Sequence, residues 1–333
     1  MHKTAHTFTS STDVDTSLTV ADLERHGRDW LFDCEYRQHS TRTIELRKFL
    51  TEKLVWFLRE HGHERCGTSE LKQFLVYIGN AHESPSGRWG NPRLRRAVRS
   101  VTVLDYFRVL RTFFGWLVKE GVLEVSPVSR IAPPVARSNQ IQPFTSEQVG
   151  LLLQAARKSL HPRRDEAILL FLLDTGVRAT ELCELKMSQL DLDGRRCTVR
   201  GKGNKTRTVY LGRRTVKAVW NYLKEDPRED DEPVFVSDRG TRAGDPLTRS
   251  GLLQLIRRLG RAAGIQSARC SPHTFRHTFA VDLLRSGAHI FALQQLLGHT
   301  SLHMTNRYVA LAQADIENQH RLHSPVDRLR TGK

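Results

Sequence analysis

The sequence predicts a mainly α-helical protein with a small antiparallel β-sheet, an α+β fold, organised as two domains. Apolar residues recur at helical spacing from about residue 18 to residue 125. A segment with four prolines and no helical period follows at residues 126–143, and it is typical of an interdomain linker. Helical periods then return, interrupted by the alternating pattern of short strands between residues 190 and 211. We expect a flexible tail at 1–17, a helical domain at 18–125, a linker at 126–144 and a second domain at 145–333.

Four amphipathic helices are predicted in the first domain, because apolar residues lie three and four positions apart in each of them. Ser40 and Thr41 are good capping residues for the start of the second helix. A loop rich in Gly, Pro and Ser separates the third helix from the fourth, which ends before Gly121. The predicted elements are a helix near Val20–Tyr36, a helix after residue 41, a helix over Thr68–Ala81, a loop over Ser84–Pro92 and a long helix through Val103–Leu117.

An arginine-rich stretch follows that loop and continues into the fourth helix. Its members are Arg93, Arg95, Arg96, Arg99, Arg108 and Arg111, with only Asp105 opposing them. One interpretation is a face that grips nucleic acid phosphates, and the alternative is an ordinary solvated helix surface. The basic charge of the whole domain favours the first, which makes the four arginines from Arg93 to Arg99 candidate DNA contacts.

The second domain is predicted to open at Thr145, whose spacing to Gln148 is that of a capping box. Pro162 is well placed to begin its second helix, and Gly176 to end it. A short helix and a three-stranded meander follow, with turns at Asp193–Gly194 and Gly203–Asn204. The predicted elements are helices over Ser146–Ser159 and Pro162–Asp174, strands at Leu190–Leu192, Arg196–Arg200 and Thr206–Leu211, and a short strand at Val234–Val236 in an otherwise helical remainder.

The charge of the chain predicts a densely negative partner. Lys and Arg number 52 against 36 Asp and Glu, which gives a formal net charge of +16, and both halves of the chain are basic. A nucleic acid backbone is the commonest such partner, although charge that only keeps a protein dispersed would have the same composition. Hydrophobic residues at 39% and charged residues at 26% fit a globular rather than a disordered chain.

Cysteine usage and hydropathy predict a cytoplasmic protein with no membrane contact. The five cysteines are scattered and never form a C-x-x-C pair, which argues against a disulfide framework and against structural zinc. The longest apolar run, Ala167–Leu173, is too short to cross a bilayer. The amino terminus has no hydrophobic segment after a basic start, so no secretory signal is expected.

Five short stretches of the second domain carry residues suited to chemistry. Taken singly, each has an ordinary explanation, such as a helix salt bridge, a tight turn, or two histidines one helical turn apart without a third metal ligand. The stretches are Arg178 to Glu181 after a helix stop, Lys202 at a hairpin tip, His273 to His277 with Arg276 between them, His299 after a glycine, and Tyr308.

Taken together, the five stretches supply the groups that transfer a phosphodiester to a protein hydroxyl. Two arginines suit the non-bridging oxygens, because each guanidinium presents a planar fork that keeps its charge. A tyrosine is a competent nucleophile, while a histidine and a lysine can accept and donate the protons. No acidic cluster that would hold Mg²⁺ accompanies them. The set therefore predicts a metal-independent, covalent phosphotyrosyl mechanism on DNA that needs no cofactor.

In residue type, order and spacing, these stretches resemble the tyrosine recombinase (phage integrase) family, and in particular its Xer-like members. The resemblance covers residues 18–308, with 24 residues from Arg178 to Lys202, 23 from Arg276 to His299 and nine from His299 to Tyr308. The segments LLDTGVRATELCEL, RGKGNKTRTVYL, PHTFRHTFA and LLGHTSLHMTNRY look like the signature segments of that family.

The resemblance implies a role for each residue. It makes Tyr308 the nucleophile, Arg178 and Arg276 the clamp on the scissile phosphate, Lys202 the general acid, His273 the acceptor of the tyrosine proton, His299 a hydrogen-bond donor to the phosphate, and Glu181 a supporting residue that orients its neighbours.

The resemblance also implies an architecture and an assembly. A four-helix, SAM-like core-binding domain and a catalytic domain with a small sheet would close as a C-shaped clamp on double-stranded DNA. A homo-tetramer, or a hetero-tetramer with a second recombinase, would exchange strands through a Holliday junction. Integration or excision of a mobile element and resolution of replicons are equally open. Leu311, Ile316 and Leu322 suit either a helix passed to a neighbouring protomer or one packed on its own domain.

Three other functions stay open on the sequence alone. A type IB topoisomerase-like enzyme would share the chemistry but relax DNA as a monomer. A sequence-specific DNA-binding protein with a relic active site would bind without cutting, although a relic would be expected to have lost some of the residue set. A metal-dependent nuclease would lose its activity on chelation.

Overall fold

The computed structural model describes residues 16–136, 142–201, 205–237, 244–299 and 301–312, together with Ser324 and Val326. The chain divides into two compact units, Met1–Asn139 and Gln140–Lys333. Helices dominate both units and the larger sheet has three strands, which confirms the predicted fold class. Lys202, the turn at Gly203–Asn204, and the tail residues Ile316 and Leu322 lie outside the described residues. No helix in the described ranges is long and apolar enough to span a bilayer.

The four helices predicted for the first unit are confirmed. The hydroxyl of Thr19 accepts a hydrogen bond from the Asp22 backbone N–H at 3.1 Å, and the hydroxyl of Ser40 caps the second helix in the same way. Aromatic residues fill the core, where Trp30 meets Phe113 with ring centroids 5.0 Å apart. The helices are α1 (Val20–Tyr36), α2 (Thr41–Glu60), α3 (Thr68–Gly79) and α4 (Ser100–Lys119).

A two-stranded antiparallel pair, which the sequence analysis missed, joins the start of α1 to the segment before α3. The strands are β1 (Leu18–Thr19) and β2 (Arg65–Cys66), with Leu18 opposite Cys66. Strands of two residues are too short for an alternating pattern to show.

A buried arginine holds the loop between α3 and α4. Arg88 is 4% exposed, and its Nη2 donates to the carbonyls of Asn80 and Arg96, each at 2.8 Å. Gly87 has a φ of +64°, and a Cβ there would lie 2.1 Å from the backbone oxygen of Asn91. The backbone that carries the exposed side chains of the arginine-rich stretch is therefore fixed.

The proline-rich segment between the predicted domains is packed at both ends. Val128 and Ile131 are buried in the core of the first unit, and the Thr68 hydroxyl donates to the Pro127 carbonyl at 3.0 Å. Phe144 is buried in the second unit, where its N–H donates to the Thr278 hydroxyl at 2.9 Å.

The second unit surrounds its small sheet with helices, and its predicted meander is confirmed. The strand order is β3–β4–β5, antiparallel, with Cys197 opposite Val209 and Val199 opposite Arg207. The strands are β3 (Leu190–Asp191), β4 (Arg196–Arg200) and β5 (Thr206–Tyr210). The helices are α5 (Ser146–Arg157), α6 (Pro162–Thr175), α7 (Ala179–Cys183), α8 (Arg213–Leu223), α9 (Arg249–Ala262), α10 (Pro272–Arg285), α11 (Ile290–Leu297) and α12 (Leu302–Ala312).

The strand predicted at Val234–Val236 is wrong. These residues are buried and hydrogen-bonded to neighbouring segments, but instead of a strand they form an isolated bridge between Val236 and Pro246, next to a second bridge between Lys186 and Pro233. Proline has no N–H to donate to a ladder, so prolines at both bridges prevent the pairing from extending.

Gly176 ends α6 in a conformation that other residues adopt only with strain. Its φ is +59°, and a Cβ would lie 2.2 Å from the Phe279 ring. We expect Gly176→Ala to lower the free energy of unfolding by about 1–2 kcal/mol for the left-handed backbone and about 1–3 kcal/mol for the clash. Gly264→Ala is the matched control, because Gly264 has a φ of +68° but nothing within 4 Å of its Cβ position. If urea unfolding showed the same loss of free energy of unfolding for both variants, the predicted clash with the Phe279 ring would be contradicted.

Candidate active site

The end of α6 positions the first arginine of the site. The left-handed turn at Gly176 places Arg178 at the N-cap of α7, with an extended backbone. Glu181, in the first turn of α7, accepts the backbone N–H of Arg178 at 2.7 Å through Oε2 and the Arg178 Nη1 at 2.8 Å through Oε1. Glu181 therefore both caps the start of α7 and forms an ion pair with Arg178, and the Arg-x-x-Glu spacing makes both contacts possible.

Glu181 is buried and has four hydrogen-bond donors. Besides the two from Arg178, its carboxylate takes a bidentate pair from Arg207, with Nη1 2.7 Å from Oε1 and Nη2 2.8 Å from Oε2. Burial raises the pKa of Glu181, but the hydrogen bonds from Arg207 and Arg178 outweigh it and hold the pKa at about 2. The charged carboxylate therefore stabilises the fold fully above its ordinary pKa of 4.5, and this contribution is lost as the pH falls towards 2.

Arg207 was not predicted as a site residue. It lies on β5, where its side chain is 12% exposed, and its Nε donates to the Leu296 carbonyl at 2.7 Å. In an alternating strand it shares a face with buried Val209, two residues on. An arginine on the buried face of a strand requires an acidic partner, and this is the signal that could have identified it.

Arg276 lies on α10 and is almost completely buried. It is 5% exposed, and it donates to the carbonyl of Gly176 at 2.8 Å and to that of Leu297 at 2.6 Å. Burial, and then repulsion from Arg178, lower its pKa to about 10. The guanidinium is still charged at neutral pH, and a bound anion would relieve both penalties.

A histidine connects Arg276 to the tyrosine. Arg276 Nη2 lies 3.1 Å from His299 Nε2, and His299 Nδ1 lies 2.9 Å from the Thr305 hydroxyl. A guanidinium only donates, so Nε2 is the acceptor and the proton of a neutral His299 ring is on Nδ1. The His299 ring is nearly parallel to that of Tyr308, with centroids 6.2 Å apart.

Tyr308 is completely buried between α10 and α11. Its exposed fraction is 0%, and it belongs to a small apolar cluster with Phe279 and Leu293. The ring of His277, which the sequence analysis did not assign to the site, lies 5.2 Å from the Tyr308 ring. Its position one turn after His273 on the same helix was visible in the sequence, but only as a possible metal pair.

The carboxyl end of α11 is where the three arginines meet. Arg207 donates to the carbonyl of Leu296 and Arg276 to that of Leu297, while Arg178 makes a longer contact of 3.5 Å with Gly298. The last carbonyls of a helix lack partners within the helix and carry its negative dipole end. They therefore hold positive side chains together that would otherwise repel one another.

Five of the predicted site residues thus come together: Arg178, Glu181, Arg276, His299 and Tyr308. His273 is exposed on the first turn of α10, three residues before Arg276. Lys202 is among the residues that the structure does not describe, and the arginine-rich stretch belongs to the first unit. Within the described ranges, no three His, Cys, Asp or Glu residues are grouped so as to hold a metal ion.

The arrangement favours an oxyanion with two or more acceptor oxygens. Three guanidiniums face one carboxylate, so the cluster carries excess positive charge, and Arg178 is 30% exposed. Fixed donors of this kind, aimed at a developing negative charge, stabilise a transition state without having to reorganise.

A family model described as the phage integrase family matches residues 142–315 of the chain. The chain is 34% identical over 217 residues to the tyrosine recombinase XerC of Thermodesulfovibrio yellowstonii, covering 62% of this chain and 70% of the relative. It is 32% identical over 264 residues to XerC of Leptospira interrogans, covering 78% and 79%. Its fold is similar to that of a lambda integrase dimer bound to a COC' core site, with a TM-score of 0.67 at 19% identity over 88% of this chain and 78% of the integrase.

The family match spans the cluster described above, from the residues before Arg178 to those after Tyr308. Both XerC relatives are matched over more than two thirds of their own length. The chain therefore belongs to the phage integrase family and is a tyrosine-type site-specific DNA recombinase, an enzyme that cleaves and rejoins DNA strands.

Proposed function

We propose that Tyr308 is the nucleophile of this recombinase and that the arginine cluster holds the scissile phosphate. The Tyr308 oxygen attacks phosphorus, the bond from phosphorus to the 5′-oxygen breaks, and a 3′-phosphotyrosyl link forms. His273 takes the tyrosine proton, and Lys202 gives a proton to the leaving 5′-oxygen. A 5′-hydroxyl from a second strand then reverses the steps and rejoins the DNA.

The observation that carries this proposal is the chain of contacts from Arg276 through His299 to Tyr308. Because of these contacts, Arg276, the proposed phosphate ligand, lies close to the side chain that would be joined to the phosphate. Arg178 shares the site, because its charge acts on Arg276. Two forked guanidiniums match the two non-bridging oxygens of a phosphodiester.

The complete burial of Tyr308 requires a movement before cleavage. A phosphate can reach the phenol oxygen only if α12 shifts away from α10 and α11, because the side chain is 0% exposed. Arg276 also has to turn from His299 Nε2 to a phosphate oxygen. His299 can then donate to the phosphate once Nε2 carries a proton. DNA binding would supply the energy for these changes.

The fixed loop of the first unit supports a DNA-binding role for that unit. Arg93, Arg95, Arg96 and Arg99 are all exposed, whereas the backbone between them is tied down by Arg88 and by a hydrogen bond from the His82 N–H to the Arg95 carbonyl at 2.8 Å. Side chains on a preformed backbone lose less entropy on binding phosphates than those on a mobile tail.

The active assembly on DNA is a tetramer that forms from two dimers and exchanges strands through a Holliday junction. The lambda integrase, which shares this fold, is a dimer on its core site. The partner of this chain is a second copy of itself or a second recombinase. This chemistry would serve either the integration or excision of a mobile element or the resolution of replicons.

The decisive test is a suicide substrate, a duplex nicked so that the cleaved strand cannot be rejoined. We expect the full-length protein to form a covalent adduct with DNA that flanks its own gene, and the adduct to persist in EDTA. On a plasmid with two sites, we expect recombinant circles as well as relaxed ones.

Loss of the adduct on chelation would instead point to a metal-dependent nuclease. Relaxed circles without recombinants would indicate a topoisomerase-like enzyme. Sequence-specific binding without any adduct would indicate a DNA-binding protein that has lost its catalytic activity.

A further inference from the structure

We propose that Arg207 is a positioning residue for strand cleavage, which holds Arg178 through Glu181 and fixes the carboxyl end of α11 next to His299. This assignment rests on the proposed function, in which Arg178 clamps the scissile phosphate. Arg207 lies in the segment RGKGNKTRTVYL and on the predicted strand Thr206–Leu211, but neither pattern assigned it a role.

The geometry shows why Arg207 acts through other residues. Each of its three side-chain nitrogens donates a hydrogen bond within the protein, two to the Glu181 carboxylate and one to the Leu296 carbonyl, at 2.7–2.8 Å. Its side chain is only 12% exposed, compared with 30% for Arg178. Arg178 is therefore the guanidinium that is placed to meet a phosphate, and Arg207 is the one that is committed to the protein.

Arg207 also sets the charge balance at Arg178. With both arginines present, two guanidiniums share the single negative charge of Glu181, so Arg178 keeps much of its attraction for a phosphate. Without Arg207, the Glu181 carboxylate would lose two of its four hydrogen bonds, so less would hold it in its charged form and in the orientation that positions Arg178. Cleavage would slow even though the phosphate-binding arginine is still present.

The hydrogen bond from Arg207 to the Leu296 carbonyl also constrains the carboxyl end of α11. The Leu296 carbonyl, which accepts from Arg207, is three residues from His299, and the turn between them is left-handed at Gly298. A Cβ on Gly298 would lie 3.1 Å from the Arg207 Cδ, so this turn and the arginine are in close contact. One side chain on β5 thus ties the start of α7 to the end of α11.

The pH dependence of cleavage offers a readout that a purely structural role would not change. Three arginines face Glu181, namely Arg178 on its own turn, Arg207 on β5 and Arg276 on α10, and the buried thiol of Cys197 on β4 is also near. Burial is the strongest influence on the pKa of Glu181 and raises it, whereas the Arg207 hydrogen bond is the strongest influence that lowers it. Without Arg207, we expect Glu181 to take up a proton in mildly acidic solution.

The experiment measures single-turnover cleavage of the suicide substrate by full-length Arg207→Met between about pH 5 and pH 8, together with DNA affinity. We expect cleavage to slow by about 10- to 100-fold, by analogy with the loss of residues that orient metal ligands in other enzymes. DNA affinity should be unchanged, and the rate should fall further towards acidic pH. Arg207→Lys, which keeps the charge but not the fork, should recover part of the rate.

Two further variants make the test specific. Arg207→Met combined with Glu181→Gln should lose the acidic fall in rate, because no carboxylate is left to titrate. Arg196→Met is the matched control, since Arg196 lies on β4 in an exposed pair with Asp191 and is 61% exposed. It should cleave like the unchanged protein at every pH.

Three results would overturn the proposal. Arg207→Met could cleave at the original rate with the original pH profile. It could lose DNA affinity and thermal stability in step with its rate, with no change in the profile, which would make Arg207 merely structural. The acidic fall could persist when Glu181 is also replaced. Failure of the proposed function is a different result, because the unchanged protein would then form no adduct at Tyr308.

Discussion

Replacing Tyr308 with Phe should leave a protein that folds and binds DNA but forms no covalent adduct with it. The substitution removes the only atom of the side chain that can attack phosphorus, and it keeps the ring that packs against Phe279 and Leu293. We expect the rate of adduct formation to fall by at least about 10⁴-fold, as it does when other enzymes lose a covalent nucleophile. The free energy of unfolding should change by only about 1 kcal/mol, because one hydroxyl is lost.

The suicide substrate measures this loss, and peptide mapping of the original adduct identifies the modified residue. Tyr210→Phe is the control, because Tyr210 is on β5 and 63% exposed, outside the cluster around Tyr308. That variant should form as much adduct as the unchanged protein. An adduct that survived in Tyr308→Phe would place the nucleophile elsewhere in the chain.

Local sequence signals were enough to predict most element boundaries. Ser40 and Thr145 begin their helices through side-chain caps, and Gly176 ends α6 in the left-handed conformation that a glycine after an apolar helix predicts. The pair β1–β2 and the bridges around Val234–Val236 depend instead on which distant segment lies alongside. No local pattern encodes that choice, so the first was missed and the second was predicted as a strand.

The site residues also divide into those that local sequence motifs predict and those that depend on contacts between distant segments. Arg178, Arg276, His299 and Tyr308 belong to motifs whose spacing is visible in the sequence. Arg207 became recognisable only when the register of the sheet placed it against Glu181.

The burial of Tyr308, the proposed nucleophile, could also not be predicted from the sequence. Helical spacing places Tyr308 on α12 but does not say which face of α12 turns inward. That depends on the packing of α12 against α10 and α11, where Phe279 and Leu293 form the apolar cluster. Under the role proposed for Tyr308, its place inside such a cluster couples cleavage to a conformational change, which a motif alone cannot reveal.

Replacing Arg276 with Ala should slow cleavage by about 10²–10³-fold, or about 2.7–4 kcal/mol of transition-state stabilisation, and Arg178→Ala should cost a similar amount. Arg276 is charged at neutral pH despite a pKa lowered to about 10, and it is fixed by two carbonyls and by His299. Its fork therefore already lies at the site, and it has to turn from His299 Nε2 to meet the negative charge that develops on the phosphate. Arg276→Lys should recover little, because an ammonium cannot span two oxygens.

Part of the loss in Arg276→Ala would come from the fold rather than from the chemistry. The carbonyls of Gly176 and Leu297 would each lose a buried partner, at about 1–3 kcal/mol per unsatisfied group. Urea unfolding of the same variant separates the two effects, because cleavage measured on the folded fraction reports the chemistry alone. Arg285→Ala is the control on the same helix, since Arg285 is 53% exposed and lies 4.0 Å from Asp282. If Arg276→Ala, once corrected for folding, cleaved as fast as Arg285→Ala, the phosphate would have to be held by other residues, and the contact from Arg276 to His299 would serve only the packing of α11.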